Sequence, residues 1–311
     1  MYLANPNLYE AYATVIDIDL VSTAQSKESK VPNDLIELVT HKITLDDSLF
    51  HPQGGGQPSD KGTLLGANGE VFHVLFVSSA SKSGMKVVEH YGHFLSILSV
   101  SAELAVKCSE VTSSLARLDM NAPELAVAIH EQISEIQPQS HTSSQHHFIK
   151  AGAYLQMSVD ILYRQLNSRL HSAGHTIDAA LKRCDGDMLR RLRATKGYHF
   201  SDGPYVEYEG ELNESEMREL PNILNIHLKN IIDENIPTSI SMVEKSEASR
   251  LLDLTLKELE FYPEKVRIVE VAGLSCACGG THIGSTEDLM EVTVTKIKKK
   301  KKIIKISYII Q

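Results

Sequence analysis

Two short motifs carry side chains suited to binding a metal ion. His171 and His175 are four residues apart in a segment with helical periodicity, so their imidazoles lie on one helix face, one turn apart. Cys278 and His282 flank a Gly-Gly-Thr sequence after a predicted strand, where glycine lets a thiolate and an imidazole converge. A histidine pair alone often arises by chance, but three nitrogens and one sulfur suit tetrahedral zinc. The sequence therefore predicts a Zn²⁺ site formed by His171, His175, Cys278 and His282.

Three neighbouring residues refine this prediction. Gly174 weakens a helix, so we expect it to make room for a group packed closely against it. Cys276 shares one face of an extended segment with Cys278, as either a spare ligand or a buried structural cysteine. Ser172 stands where zinc peptidases with a helical histidine pair carry a glutamate base, so the pattern disfavours peptide hydrolysis.

The elements that position these groups follow from periodicity in the first part of the chain. Short alternating segments rich in β-branched residues predict a small sheet or barrel with strands at 9–20, 35–49, 62–77 and 85–90. A loop rich in glycine and proline at 51–60 interrupts them, and its backbone is free to approach a ligand closely. A helical pattern follows at 94–137, and then a polar linker at 138–147 whose histidines we expect to be exposed.

The second part of the chain groups its predicted helices between strands. Such grouping, without regular alternation of strand and helix, predicts an α+β fold. The predicted helices are 161–181, 214–233 and 245–260, and the predicted strands are 153–159, 198–208, 266–271, 290–297 and 302–310.

Composition excludes several classes of protein. The 311 residues, 42% hydrophobic and 23% charged, are typical of a globular protein, here expected to have two domains. No apolar run approaches the roughly 20 residues of a membrane span, and the N-terminus lacks a signal-peptide pattern, so we expect a cytoplasmic protein without a membrane partner. Four cysteines in so long a chain do not form a disulfide framework.

Positive charge is concentrated near the C-terminus. The net charge of −9 argues against indiscriminate binding to nucleic acid, but seven lysines fall between Lys296 and Lys305. Such a patch can hold phosphates at one docking site while the remaining surface repels them. The alternatives are a solvated hairpin turn and a protected sheet edge.

Four motifs, in this order, resemble those of the AlaX alanyl-tRNA editing proteins, which are similar to the editing domain of alanyl-tRNA synthetase. They are LDDSLFHPQGGGQPSD at 45–60, RLHSAGH at 169–175, KGYHF at 196–200 and CGGTH at 278–282. The resemblance implies an N-terminal β-barrel-like domain at 1–93, which carries the glycine-rich loop, and a zinc-containing α+β editing domain at 149–311. The helical insertion and polar linker at 94–148 depart from the family pattern.

The same resemblance implies a trans-editing hydrolase. Its substrate would be tRNA(Ala) mischarged with serine, or by family analogy with glycine, and its cofactor Zn²⁺. A site that hydrogen-bonds the serine hydroxyl leaves polar groups unpaired when alanine enters, which explains selectivity. Gln57 and the nearby glycine amides are the candidate substrate contacts, and Ser48 and His199 are candidate pocket residues that order water or read a hydroxyl. Ser48 replaces the threonine of the family pattern.

Two alternative functions retain the same residues. One is a non-catalytic, zinc-stabilised RNA-binding module with a closed metal site, and the other is editing of a different mischarged tRNA, as in the related threonyl-tRNA synthetase domain. Gln57 after the glycine run favours the alanine branch, although the loop could only shape a turn and His199 could be a core histidine. No obligate protein partner is indicated.

Overall fold

The computed structural model describes residues 3, 5, 7–22, 30–82, 84–95, 149–184 and 191–311. These residues form a sheet-rich protein with three α-helices, in which no helix is long and apolar enough to cross a membrane. Contacts divide the chain into a first unit, Met1–Gln53 with Ser59–Arg164, and a second unit, Gly54–Pro58 with Gln165–Gln311. The predicted helical pattern at 94–137 and the linker at 138–147 lie almost entirely outside the described residues.

The first unit is a closed six-stranded barrel with the strand order β1-β2-β5-β4-β3-β6. All neighbouring strands in it are antiparallel. Residues 154–159, which the sequence groups with the following domain, pair with both β1 and β3 and close the barrel. The strands are β1 (Glu10–Leu20), β2 (His41–Leu45), β3 (Gly62–Leu65), β4 (Val71–Lys82), β5 (Met85–Phe94) and β6 (Tyr154–Val159).

Alternation along these strands fills the barrel with apolar side chains. Ile43, Leu45 and Leu155 are among its buried residues. The segment predicted as one strand at 35–49 forms only β2, because a 3-10 turn occupies Asn33–Leu35 and irregular chain follows β2.

A buried ion pair in the first unit fixes the chain on both sides of the glycine-rich loop. Arg164 Nη2 lies 2.5 Å from Asp60 Oδ2, and both side chains are almost fully buried. Asp60 also accepts a hydrogen bond from the His51 amide at 2.5 Å, and Arg164 donates to the Leu49 carbonyl at 2.7 Å. Because removing one member of such a pair leaves an uncompensated buried charge, substitution of either residue alone should destabilise the chain entering and leaving the loop.

The second unit contains two antiparallel sheets and most of helix α1 (Ile161–Cys184). One sheet has the order β11-β10-β9 and the other the order β12-β13-β8-β7. The remaining elements are β7 (Leu192–Tyr198), β8 (Tyr205–Gly210), α2 (Glu214–Asp233), β9 (Ser239–Glu244), α3 (Lys245–Leu252), β10 (Lys265–Val271), β11 (Leu274–Ala277), β12 (Val292–Lys300) and β13 (Ile303–Ile310).

Helical periodicity explains the core of this unit. Helix α1 buries Leu170, Ala173 and Ile177 on one stripe, in the same cluster as the buried apolar residues of α2 and of the four-stranded sheet. Helix α3 ends at Leu252 rather than near residue 260, because Asp253 adopts a left-handed conformation with φ of 53°. Left-handed backbone stops an α-helix whatever apolar residues follow.

Candidate metal centre

Helix α1 and the loop after β11 bring the four predicted ligands together in the second unit. His171 and His175 project from one face of α1, and Cys278 and His282 follow the end of β11. Their candidate donor atoms all lie within 4.8 Å of one another. His171 and His282 are buried and the other two are half-buried, so the cluster lies at the edge of the core.

The spacing within the cluster fits tetrahedral zinc. The Cys278 sulfur lies 3.3 Å from His282 Nε2 and 3.6 Å from His171 Nε2. Zinc bonds of about 2.0–2.3 Å at tetrahedral angles place neighbouring donor atoms roughly 3.3–3.7 Å apart. One thiolate and three imidazoles at these distances could therefore hold one Zn²⁺ ion.

Gln57 fixes the orientation of His171. The Thr281 amide donates to Gln57 Oε1 at 3.0 Å, and Gln57 Nε2 donates to the Thr281 hydroxyl at 2.8 Å. These two hydrogen bonds establish which terminal atom of the Gln57 side chain is the oxygen and which is the nitrogen. The same Oε1 lies 2.7 Å from His171 Nδ1, so this nitrogen carries the proton and donates. His171 Nε2 is left with a lone pair directed at the cluster, which is the tautomer that binds a metal.

Polar side chains also contact the other two histidines. The Ser172 hydroxyl lies 3.2 Å from His282 Nδ1, so the residue that occupies the peptidase glutamate position contacts a ligand instead. Asp178 is one helical turn after His175, with its Oδ2 3.9 Å from His175 Nδ1. Tyr208 donates to the other oxygen of Asp178 at 2.5 Å and holds that carboxylate in place.

The two thiols of the Cys-Ala-Cys sequence differ in acidity. A hydrogen bond from Cys276 lowers the pKa of Cys278 well below its usual value. The same hydrogen bond, together with burial, raises the pKa of Cys276. Cys278 is thus the thiolate, the form that binds zinc, and Cys276 stays a protonated thiol beside it.

His199 stacks on the cluster as a neutral imidazole. Its ring centroid lies 4.7 Å from that of His171, and burial lowers its pKa to about 2. Tyr308 donates its hydroxyl proton to the Leu170 carbonyl at 2.8 Å, so its oxygen accepts from His199 Nδ1 at 2.7 Å. His199 Nε2 is therefore a hydrogen-bond acceptor.

Glycines permit the close approach of these rings. A Cβ atom added at Gly174 would lie 2.4 Å from His199 Cε1, which confirms that this helical glycine makes room for a neighbouring group. A Cβ added at Gly280 would lie 2.2 Å from the His171 ring and 2.7 Å from Gln57 Oε1. The Cys-Gly-Gly-Thr-His turn therefore needs glycine where it contacts His171.

Ser48 belongs to the first unit. It is buried, and its oxygen accepts from the Phe50 amide at 3.0 Å and lies 2.8 Å from His90 Nε2. His90 Nδ1 donates to the Ile43 carbonyl at 3.1 Å, so the Ser48 hydroxyl donates to Nε2. The Ser48 hydroxyl thus both donates and accepts a hydrogen bond within the barrel. Its role as a pocket residue stays a prediction.

Several residues of the second unit support the cluster without having been singled out in the sequence. They are Asp178, Thr281 and Tyr308, with Ser168 hydrogen-bonded to Thr281 at 2.7 Å. The helical period offered a signal for Asp178, because it lies three residues after His175 on the same face. Tyr308 carried no comparable local signal, since its contact with His199 spans 109 residues.

Comparison with known proteins reveals relatives across most of the chain, although no family model matches. The alanyl-tRNA editing protein AlaX-L of Pyrococcus horikoshii is 23% identical over 303 residues, which cover 97% of this chain and 55% of that protein. AlaX-M of Methanosarcina acetivorans is 25% identical over 276 residues, which cover 86% of this chain and 89% of that protein. The alanine–tRNA ligase of Methanosphaera stadtmanae is 24% identical over 252 residues, which cover 80% and 22% respectively.

The chain thus spans about half the length of AlaX-L and about a fifth of the ligase, but most of AlaX-M. The match to these proteins agrees with the four motifs in the sequence, two of which supply His171, His175, Cys278 and His282 to one cluster in the second unit. Over most of its length, the chain is similar to the alanyl-tRNA editing proteins AlaX-L and AlaX-M, as its motifs predicted.

Proposed function

We propose that this protein is a zinc-dependent aminoacyl-tRNA deacylase that edits mischarged tRNA(Ala) in trans, with seryl-tRNA(Ala) as its chief substrate. Water adds to the ester carbonyl, the bond to the terminal ribose breaks, and free serine and uncharged tRNA leave. We assign this chemistry to the second unit, Gly54–Pro58 with Gln165–Gln311, which contains the four candidate ligands.

The observation that carries this proposal is the convergence of His171, His175, Cys278 and His282 within 4.8 Å, in a chain similar to two alanyl-tRNA editing proteins. A zinc ion held there would supply Lewis acidity toward a water or an ester carbonyl, provided that its coordination expands beyond four. The chain's own residues would bind that ion and orient its ligands.

His199 orients a polar group beside the cluster. Its pKa of about 2 makes it a poor base at neutral pH, since a general base works best with a pKa near the operating pH. A neutral Nε2 is nevertheless a fixed hydrogen-bond acceptor, suited to an attacking water or to the ammonium group of the aminoacyl ester. We therefore assign His199 to positioning rather than to proton transfer.

Gln57 has a supporting role in this scheme. Its side chain is fully buried and its amide is engaged by Thr281 and His171, so we assign it to holding the His171 tautomer. Direct contact between Gln57 and substrate, as predicted from the glycine-rich loop, would require these hydrogen bonds to rearrange.

Selectivity for serine follows from the hydroxyl. A site with a buried partner for that group leaves the partner unpaired when alanine enters, which can separate the two substrates by orders of magnitude. Glycine lacks the hydroxyl, so glycyl-tRNA(Ala) as a second substrate rests on the family resemblance of the motifs alone.

The specificity of the zinc-loaded protein can be tested with a panel of aminoacyl-tRNAs. Seryl-tRNA(Ala) should be hydrolysed faster than the two comparison substrates, alanyl-tRNA(Ala) and seryl-tRNA(Thr). Equal rates on seryl-tRNA(Ala) and alanyl-tRNA(Ala) would contradict the selectivity, and a preference for seryl-tRNA(Thr) would favour editing of a different tRNA.

The role of His199 can be tested with His199→Gln. This change should lower kcat by about 10²-fold, because a flexible side-chain amide replaces the rigid imidazole acceptor that Tyr308 holds in place, while the zinc content stays at one ion per chain. His227→Gln on helix α2 is the matched control and should retain wild-type turnover. A His199→Gln variant with wild-type kcat would exclude the positioning role.

A further inference from the structure

The outward side of the sheet β12-β13-β8-β7 is strongly basic; we call it the basic face. Residues alternate between the core and solvent along each strand, and the strand register places the outward residues in rows across the sheet. Six lysine and arginine side chains and two glutamates lie in these rows, although the whole chain carries a charge of −9. The three rows are Lys296–Ser307–Tyr205–Tyr198, Lys298–Lys305–Glu207–Lys196 and Lys300–Ile303–Glu209–Arg193.

Like charges face each other directly in the middle row. Lys298 is the cross-strand partner of Lys305, an arrangement that destabilises a sheet unless an anion lies nearby. Glu207 flanks Lys305 on its other side, and Glu209 is engaged by Arg193 at 2.5 Å. The lysines of β12 therefore form an edge of uncompensated positive charge, suited to a polyanion.

Register also separates the lysines of β12 into two groups. Lys299 lies opposite Ile304, whose side chain is in the core, and donates to the Leu212 carbonyl at 3.0 Å. Lys298 and Lys300 lie on the other side of the strand. The lysines of the basic segment predicted from sequence thus lie on two opposite sides of β12. A single ligand can contact only the lysines of one side.

Three aromatic rings, those of Tyr205, Tyr198 and Phe200, continue the basic face; we call them the aromatic strip. Tyr198 stacks on Tyr205 with ring centroids 5.2 Å apart and on Phe200 with centroids 4.6 Å apart, both at 17° between planes. Lys305 Nζ lies 3.2 Å from the centroid of the Tyr205 ring. Half-exposed stacked rings beside lysines are typical of surfaces that stack nucleobases and hold phosphates.

The aromatic strip leads to the candidate metal centre. Tyr198 and Phe200 flank His199, which turns inward onto the ring of His171. Tyr205 and Phe200 cover the two faces of the Tyr198 ring, so a base that extends this stack does so on Phe200, one residue away from the group that borders the cluster.

The geometry points to the basic face as the surface that binds the single-stranded 3′ end of the tRNA, with phosphates along the lysine rows and a terminal base stacked on Phe200 at the end of the aromatic strip. This inference rests on the proposed function for the identity of the RNA. An anionic membrane or an acidic peptide would match the charge but would give the stacked aromatic strip no partner.

The lysine rows can be tested with uncharged tRNA(Ala), which carries no ester and so separates binding from hydrolysis. Binding is measured between about 50 and 200 mM salt for wild type, for Lys298→Gln/Lys305→Gln and for the control Lys257→Gln/Lys265→Gln. The first variant should lower the slope of log affinity against log salt by about 1.4, because each lost contact to single-stranded phosphate removes about 0.7. The control, which neutralises exposed lysines elsewhere, should keep the wild-type slope.

The aromatic strip is tested with Tyr198→Ala and with tRNA trimmed of its single-stranded 3′ end. The substitution should weaken binding of intact tRNA about tenfold and leave binding of the trimmed tRNA unchanged, because only the intact end supplies bases to stack. Tyr262→Ala, which removes an exposed tyrosine after α3, is the matched control. Zinc content should be unchanged in every variant.

Three results of the binding measurements would overturn the inference. They are an unchanged salt slope in the lysine variant, equal effects of Tyr198→Ala on intact and trimmed tRNA, and lysine-dependent binding to anionic lipid vesicles that matches binding to tRNA. A protein that binds tRNA through the basic face but fails to deacylate it would contradict the proposed function and leave this inference intact. A protein that deacylates normally when the basic face is neutralised would contradict this inference and leave the proposed function intact.

Discussion

The substitution Gln57→Leu tests how the structure orients the metal ligands. Gln57 is fully buried, and its Oε1 accepts from both His171 Nδ1 and the Thr281 amide. Leucine keeps most of the volume but leaves two buried donors without their acceptor. At about 1–3 kcal/mol for each unpaired group, the variant should lose roughly 2–6 kcal/mol of folding stability.

The same change should weaken zinc binding by about 10- to 100-fold, because loss of the partner that orients a ligating histidine has an effect of this size. That range corresponds to roughly 1.4–2.7 kcal/mol. The apparent zinc Kd is measured by competition with a chromophoric chelator, and circular dichroism establishes that the variant is folded.

Two further variants make this measurement decisive. Gln57→Glu keeps an oxygen acceptor for His171 and should bind zinc nearly as tightly as wild type. Gln53→Leu makes the identical chemical change at an exposed position of the same loop and should alter neither affinity nor stability. A folded Gln57→Leu protein with wild-type zinc affinity would refute the inference that Gln57 orients His171.

Further predictions concern the ligand set, the barrel and the packing around α1. Metal analysis of Cys278→Ala should show zinc largely lost, whereas Cys276→Ala should keep one ion per chain; full occupancy in the first would disprove the ligand assignment. Burial lowers the pKa of His90 to about 4, so its neutral form stabilises the fold above the unfolded-state pKa of about 6.5, and this stability is lost as pH falls toward 4. In denaturant unfolding, wild type should therefore lose roughly 2 kcal/mol more between pH 7.5 and 5 than His90→Gln does, and equal losses in the two proteins would contradict this. Gly174→Ala should destabilise by about 1–3 kcal/mol in thermal unfolding, since its Cβ would lie 2.4 Å from a neighbouring imidazole, and Gly279→Ala, which has open space, should not.

Local spacing predicted the two halves of the candidate metal centre. The four-residue separation of His171 and His175 requires only a helix, and the structure has helix α1 there. Cys278 and His282 required only a glycine-rich turn. That the two halves meet was inferred from the chemistry of the ligands, and their donor atoms lie within 4.8 Å.

Contacts between residues that are far apart in the chain have no comparable pattern of local spacing. Gln57 and Thr281 are 224 residues apart, so the sequence indicated a loop that approaches a ligand but not the hydrogen bonds that bury its glutamine. The end of α3 was missed for a local reason, because the conformation of Asp253, not apolar periodicity, determines it. The alternation that divides the lysines of β12 between two faces becomes visible only when the strand and its register are known.

Hydrolysis of seryl-tRNA(Ala) by the zinc-loaded protein tests the central claim most directly. Single-turnover rates are measured with seryl-tRNA(Ala) and alanyl-tRNA(Ala) at protein concentrations that saturate tRNA binding. The account predicts rapid release of serine and little release of alanine, with loss of the serine activity in Cys278→Ala. A zinc-loaded protein that binds tRNA(Ala) but leaves its seryl ester to hydrolyse at the spontaneous rate would contradict the enzyme and favour a non-catalytic RNA-binding module.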